Sequence, residues 1–447
     1  MREETIAAIA TAPGKGGVAI LRLSGDDALK IAEKAFRPSG KTPVSAFEPY
    51  RMYPGEMDCG TFSDYGLCVY FQAPKSYTGE DVVEFHLHGG TSISRGALKR
   101  LFALGARGAG RGEFTKRAFL NGKLSLSSAE GVADMINGES EAEVRAGYLL
   151  YGETLTKRVR TVQDELKNTL AAIGAAVDYP EEDLEEETRV DVRGAVERAK
   201  AEISALAAGY AVGKKIKSGV SVAICGKPNT GKSSLLNRLL GYEKAIVSDI
   251  AGTTRDVVEG TVEINGVRFH LSDTAGVRES EDKIEAIGVD RAERLVKASD
   301  LAVFVADLTS PLDENDVRAL EAAKGRPLVK VYNKADLVND EKETDADVTV
   351  SAVTGEGLNK LKALLYEKGV GLIRTEDAAF LVEERHYLAL NRAIEGLNGA
   401  LGAIENCPLD LVELEIRRAW TALGEITGET ASEEIIGEIF AKFCVGK

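Results

Sequence analysis

Cysteine pairs are missing from this sequence. Its five cysteines, Cys59, Cys68, Cys225, Cys407 and Cys444, are odd in number, scattered, and never in CxxC spacing. That argues against a disulfide framework and for reduced thiols in a cytosol. Histidines number four, with no Cys pair nearby. His86 and His88 share one strand face but lack a third ligand at useful spacing, so support of the Gly89-Gly90 turn is the reading preferred over a metal. No run approaches the roughly 20 apolar residues of a membrane span, and the N-terminus has no apolar signal core. Positive charge is not in excess: 56 Lys and Arg face 71 Asp and Glu, a formal charge of −15. A protein that coats nucleic acid non-specifically is therefore disfavoured, although a local basic patch could still meet RNA. A cytoplasmic protein without membrane attachment is expected.

What is present is ample apolar material, 44% of the chain, over a length that allows about two to four domains. Residues 1–118 read as α/β, with strand-like runs at Gly17–Leu23 and Asp81–Leu87 and a helical stretch near Asp27–Phe36. Residues 119–217 are helical in texture and nearly free of proline until Pro180, which opens an acidic run read as a solvated loop or helix start. Residues 218–375 alternate strand and helix, with strands expected at Val220–Cys225, Val267–Ser272, Leu301–Asp307, Leu328–Asn333 and Asp347–Ser351. Residues 376–447 return to helix and end in Cys-Val-Gly-Lys. The fold expected is multidomain α/β plus α: an N-terminal α/β domain and a discontinuous helical domain that carries an inserted Ras-like P-loop domain.

Gly226 to Ser233 spells GxxxxGKS between an apolar strand and a helical run. In that context backbone N–H groups and a helix N-terminus converge on phosphate. Lys232 is expected on the β- and γ-phosphates and Ser233 on Mg²⁺, with Asn229, Thr230, Gly231 and Ser234 completing the loop. Asp273-Thr274-Ala275-Gly276 ends a strand and suits a water-mediated Mg²⁺ carboxylate and a γ-phosphate-sensing amide. Asn333-Lys334-Ala-Asp336 also ends a strand. Asp336 can accept both the ring N–H and the exocyclic amine of guanine, donors that adenine does not offer there. Ser351-Ala352 would set a backbone N–H on the guanine carbonyl. These signals occur in order, so GTP rather than ATP is the expected ligand. The residue after Gly276 is Val277, where a Ras-like protein carries the water-positioning Gln. An apolar side chain cannot orient water, so that group must come from elsewhere.

Gly-x-Pro-Asn-x-Gly-Lys-Ser with Gly252-Thr-Thr-Arg-Asp256 resembles the TrmE–Era–Der class of bacterial GTPases. Thr11-Ala-Pro-Gly-Lys-Gly-Gly-Val, Ser76-Tyr-Thr-Gly-Glu-Asp, His88-Gly-Gly, the Gly112–Leu124 segment and the terminal Cys-Val-Gly-Lys narrow the likeness to its tRNA-modification family, from end to end. The resemblance implies a K⁺-dependent GTPase whose G domains pair transiently. Asn229 would ligate K⁺ together with carbonyls of Ser248, Ile250 and Thr253, in the stretch Ser248-Asp249-Ile250-Ala251-Gly252-Thr253-Thr254. Thr254 would reach Mg²⁺. Glu285, an ordinary solvated helix residue on its own merits, would orient water indirectly. Arg255, Asp256 and Arg278 would be switch or interface residues.

For residues 1–118 the resemblance implies a folate-binding, homodimerising domain. A tetrahydrofolate derivative, in methylene or formyl form, would be held by Arg22, Glu84 and Lys123 with Lys447 nearby, and Cys444 would face it. It further implies a heterotetramer with an FAD protein similar to MnmG (GidA), tRNA as substrate, and a (carboxymethyl)aminomethyl-type group added at carbon five of the wobble uridine. A ribosome-assembly switch of the Era or Der type is the alternative, disfavoured by the single G domain and the missing KH-like module. The basic positions Arg95, Lys99, Arg100, Arg107, Arg111, Lys116 and Arg117 either solvate a helix and loop or add to an RNA surface.

Overall fold

The computed structural model describes residues 4–178, 185–241, 258–273, 293–338, 344–371 and 383–446. The chain divides into two units: Met1–Ala133, Leu150–Val196 and Gly396–Lys447 in the first, Asp134–Leu149 and Glu197–Glu395 in the second.

The first unit holds a seven-stranded sheet in the order β3-β4-β5-β6-β2-β1-β7. Its strands are β1 (Ile6–Ile9), β2 (Val18–Ser24), β3 (Phe36–Pro38), β4 (Met52–Asp58), β5 (Ser63–Phe71), β6 (Val82–His88) and β7 (Arg107–Gly108). Strict alternation in β2 and β6 sorts the side chains. Leu21, Leu23, Val83, Phe85 and Leu87 enter a core shared with Ile31 and Ala32 of α1 (Ala28–Ala35) and Ala97 and Leu101 of α2 (Thr91–Ala103). Arg22, Glu84 and His86 are left on the opposite face, with Arg22 paired directly across from Glu84.

The expected helical texture is present on both sides of the second α/β region. In order come α3 (Glu113–Leu120), α4 (Leu126–Asn137), α5 (Glu141–Tyr151), α6 (Thr154–Asp178), α7 (Glu185–Ala208) and α8 (Tyr210–Ser218). Within the first unit, α6 buries Leu155, Val159, Val162, Leu166 and Ile173, one face at helical spacing. A small cluster of Leu126, Ala129, Ile439, Phe440 and Phe443 fixes the C-terminal segment there. Gly112 N–H donates to the Cys444 carbonyl at 3.4 Å, and Val445 bridges Arg111.

The second unit contains α9 (Lys232–Gly241), α10 (Glu314–Ala322), α11 (Leu358–Val370) and a six-stranded sheet in the order β13-β12-β11-β8-β10-β9. Four strands match the expectation closely: β8 (Val220–Cys225), β10 (Val267–Asp273), β11 (Leu301–Asp307) and β12 (Leu328–Asn333). These pair in parallel, and β11 is buried through six of its seven residues, the near-continuous apolar run of a doubly covered strand. The last strand is shorter than expected, β13 being only Val348–Thr349.

One strand was not anticipated. β9 (Val258–Ile264) pairs antiparallel with β10. Its signal is the Asn265-Gly266 turn, with φ of 49° and 79°, the two left-handed positions of a tight hairpin. After β13 and α11, the chain continues as α12 (Glu384–Ala403), α13 (Leu409–Thr427) and α14 (Glu433–Ala441). In the first unit α13 packs along α6, burying Val412, Ile416, Leu423 and Ile426.

Among the described residues, no helix is long and apolar enough to cross a membrane.

Candidate functional site

The parallel strands of the second unit deliver polar residues to one edge, the carboxyl ends where open α/β sheets bind ligands. β10 ends at Asp273, β11 at Asp307 and β12 at Asn333, while β8 runs into Gly226. Gly226 has φ 141°, and a Cβ there would collide with the Val305 carbonyl. At Gly231, φ 86°, a Cβ would collide with the Asn333 side-chain amide. Both glycines are therefore demanded by close backbone approach. α9 begins at Lys232, so the loop's N–H groups and the helix N-terminus face the same space.

Inside this loop Thr230 is fully buried, and the Lys232 ammonium donates to the Lys227 carbonyl at 2.7 Å. Ser233 Oγ donates to Asp273 Oδ2 at 2.6 Å, and Asp273 is fully buried. A hydroxyl and a carboxylate from two separate motifs thus meet. Their all-oxygen donor set suits a hard cation such as Mg²⁺. Asn229 is exposed with φ 63°.

Asn333 is a clamp. Its amide donates to the Thr230 carbonyl at 2.9 Å, and its carbonyl oxygen accepts from Ala352 N–H at 3.0 Å. One side chain, 2% exposed, ties the phosphate loop to the Ser351-Ala352 loop. Of the Ser351-Ala352 segment, from which a backbone N–H is expected on the guanine carbonyl, the Ala352 N–H donates to Asn333. Lys334 adopts a left-handed φ of 71° and pairs with Asp307 at 2.5 Å. Burial pushes the Asp307 carboxyl up, but hydrogen bonds from Lys334 and Thr309 outweigh it and hold the group below its ordinary range. Asp336 accepts from Ser351 Oγ at 2.5 Å and is itself exposed. Ser234 is exposed on the first turn of α9.

Ser248, Asp249, Ile250, Ala251, Gly252, Thr253, Thr254, Arg255, Asp256, Thr274, Ala275, Gly276, Arg278, Glu285 and Lys447 lie outside the described residues.

Sequence reasoning missed Lys227, Asp313 and Asp316. Lys227 reaches Asp316 at 2.8 Å and Asp313 at 3.1 Å. The two aspartates form the capping box of α10, an S/T/D-x-x-D/E pattern visible in Asp313-Glu-Asn-Asp316.

In the first unit the structure brings Arg22 and Glu84 together, Nε to Oε1 at 2.8 Å. The guanidinium also lies over the rings of Tyr77 and Phe114, at 5.2 and 5.6 Å. His86 Nε2 is 3.4 Å from Glu84, but that nitrogen makes no hydrogen bond of good geometry. Burial raises the Glu84 carboxyl, His86 and Arg22 lower it, and the balance lies below the ordinary value. Lys123 is exposed and donates to the Pro74 carbonyl at 3.0 Å. Cys444 is exposed.

His88 pairs with Asp64 at 2.7 Å, and no metal-holding cluster of His, Cys, Asp or Glu occurs among the described residues. Three of the seven residues of the basic cluster are compensated. Arg117 is 5% exposed against Glu80 and Glu113, Arg107 pairs with Glu4 and Glu113, and Arg100 pairs with Asp58. Arg95, Lys99, Arg111 and Lys116 are exposed.

A glycine-pinned phosphate loop, a hydroxyl–carboxylate pair beside it and an Asn-Lys-x-Asp clamp on one sheet edge define a P-loop domain of the guanine-nucleotide class. Across the whole chain, the model of the MnmE helical domain matches residues 126–444, and that of the GTP-binding protein TrmE N-terminus matches residues 5–123. A tRNA modification GTPase MnmE of Clostridioides difficile (strain 630) is 38% identical, over 100% of this chain and 99% of the relative. Another, from Natranaerobius thermophilus, is 40% identical over 100% of both chains. The chain belongs to the MnmE (TrmE) family. Among solved structures, the G domain of the T. maritima FeoB iron transporter is 28% identical over 33% of this chain and 98% of its own, with a TM-score of 0.27. The family assignment rests on the full-length relatives.

Proposed function

We propose that this protein is a GTP hydrolase acting in tRNA modification, adding a (carboxymethyl)aminomethyl-type group at carbon five of the wobble uridine of certain tRNAs. The observation that carries the GTPase half is the meeting of Ser233 and Asp273 beside the Lys232 loop, with Asn333 binding that loop to the base-reading segment. The tRNA half rests on full-length similarity to proteins named tRNA modification GTPase MnmE. Lys232 exchanges its carbonyl partner for the β- and γ-phosphates, and Asp336 reads the guanine edge with Ser351 orienting it. Ser233 and Thr254 would hold Mg²⁺, with Asp273 as its water-mediated carboxylate, and the ion would neutralise charge at the phosphates.

The finer reading comes from the family resemblance. Asn229 with Ser248, Ile250 and Thr253 holds K⁺ in the role that an arginine finger plays elsewhere, and Glu285 orients water in place of the missing Gln. The exposed position and left-handed backbone of Asn229 support a side chain presented outward from the loop. Residues 218–375 form the G domain, 119–217 and 376–447 the discontinuous helical domain, and 1–118 the folate-binding homodimerisation domain. The Arg22 guanidinium, paired with Glu84 and lying over the rings of Tyr77 and Phe114, gathers charged and aromatic groups of the kinds suited to a pterin. There Arg22, Glu84 and Lys123, with Lys447 nearby, hold the tetrahydrofolate derivative. An MnmG-like FAD protein completes a heterotetramer in the cytoplasm.

The direct test is analysis of wobble uridines in tRNA from cells lacking this protein. Loss of the five-substituted uridine with normal ribosome assembly is the expected result. Intact modification with accumulated ribosome precursors would replace this reading by an Era-type one.

A further inference from the structure

A phosphate loop works by holding its shape before nucleotide arrives, so whatever fixes its backbone is part of the site. In this loop Lys227 is engaged through both its carbonyl and its side chain. Its carbonyl accepts from the Lys232 ammonium at 2.7 Å and from Thr230 Oγ1 at 3.1 Å. Its own side chain turns the other way, to Asp316 Oδ2 at 2.8 Å and Asp313 Oδ2 at 3.1 Å. We propose that Lys227 is a positioning residue for GTP binding: its ammonium, held by Asp313 and Asp316 at the start of α10, fixes the carbonyl on which Lys232 rests.

The anchor is built to be rigid. Asp316 is fully buried, and its Oδ1 has no hydrogen-bond partner among the described residues. Such a carboxylate tolerates burial only beside a cation, and Lys227 is the cation it touches. Asp313 and Asp316 are also locked into each other. Asp313 Oδ1 accepts from the N–H groups of Asn315 and Asp316, while Asp316 Oδ2 accepts from Asp313 N–H. The acceptors are thus fixed by a helix cap rather than by flexible side chains. The Lys227 ammonium is correspondingly held above its ordinary pKa, first by the Asp316 hydrogen bond and against the opposing effect of burial.

The chain of contacts runs Asp316, Lys227 side chain, Lys227 carbonyl, Lys232. Loosening its first link leaves Lys232 in the loop but no longer pre-placed. The loop cradles the phosphates shared by GDP and GTP, so the loss falls on binding of both, more than on turnover of bound GTP.

The inference rests on the nucleotide reading of this loop, and one titration separates the two. Binding of fluorescent GDP and GTP analogues is measured on the full chain with Mg²⁺ for wild type, Lys227→Met, Lys227→Arg and Asp313→Asn, alongside single-turnover hydrolysis and thermal melting. Wild type that binds neither nucleotide would overturn the nucleotide reading itself. With wild-type binding intact, Lys227→Met is expected to weaken both nucleotides about tenfold, the worth of one charge-assisted bond, with single-turnover hydrolysis within about threefold. Lys227→Arg is expected to restore most of the loss. Asp313→Asn keeps the helix cap, because Asn caps as well as Asp, but removes one charge from the anchor; about a threefold weakening is expected. Lys227→Met that binds like wild type, or Lys227→Arg as weak as Lys227→Met, would overturn the proposal. A lowered melting temperature with unchanged affinity would overturn it equally, since that is the mark of a merely structural contact.

Discussion

The two sheets carry their polar clusters differently. On the nucleotide-binding sheet the groups come from contiguous motifs, and the geometry is set by backbone: loop after β8, strand ends of β10, β11 and β12, helix start of α9. On the N-terminal sheet Arg22 and Glu84 come from the middles of β2 and β6 and meet because strand register puts them opposite each other, while His86 follows Glu84 two residues along β6. In the first cluster the Lys232 ammonium donates to a backbone carbonyl and the Ser233 hydroxyl to a carboxylate. The second is already neutralised, Arg22 by Glu84. A site made of backbone turns is prepared for a charged ligand, whereas a site made of paired side chains must open a pair or present it whole.

That contrast explains what the sequence could disclose. GxxxxGKS, Asp273-Thr-Ala-Gly276 and Asn333-Lys-Ala-Asp336 are local, and each forces its own conformation, so four parallel strands and the loop they support were readable residue by residue. The mid-strand pair is not local. Arg22 and Glu84 lie 62 residues apart, and pairing register joins them; in the sequence they were linked only through the family resemblance. The clamp role of Asn333 and the Lys227 anchor were hidden for the same reason, because each is a tertiary contact between segments about 80 to 100 residues apart. In the basic stretch Arg95–Arg117 the sequence shows the cations but not the carboxylates that folding brings to Arg107 and Arg117, Glu80 and Glu113 above all.

The sharpest way to break the comparison is Lys232→Ala. If the nucleotide loop is the prepared site, GTP hydrolysis falls at least about 100-fold while the fold persists, measured by phosphate release and circular dichroism. Next comes the paired site. Arg22→Met leaves Glu84 half-buried without its cation, so the unfolding free energy falls by about 1–3 kcal/mol, and if the proposed folate site is right, binding of a tetrahydrofolate derivative is lost, read by calorimetry. Binding that survives would show that the pair is only structural.

A smaller effect concerns acid stability of the N-terminal sheet. Burial pushes the Glu113 carboxyl up, but Arg107 and the Gly110 N–H outweigh it and bring it down from 4.5 to about 2. A folded-state pKa below the unfolded one stabilises fully above about 4.5 and is lost as pH falls toward 2. Glu113→Gln is therefore expected to flatten the acid limb of the stability profile between those values. An unchanged limb would assign acid sensitivity to other carboxylates.

The claim on which the rest depends is that Asp336, oriented by Ser351, reads guanine. Asp336→Asn replaces an acceptor by a donor where guanine presents its own N–H groups, and xanthine presents an oxygen at the position of guanine's exocyclic amine. Turnover of GTP and of xanthosine triphosphate by wild type and Asp336→Asn tests this directly. The account predicts preference for GTP in wild type and for xanthosine triphosphate in the variant, each by at least about tenfold. A variant that still prefers GTP would contradict it.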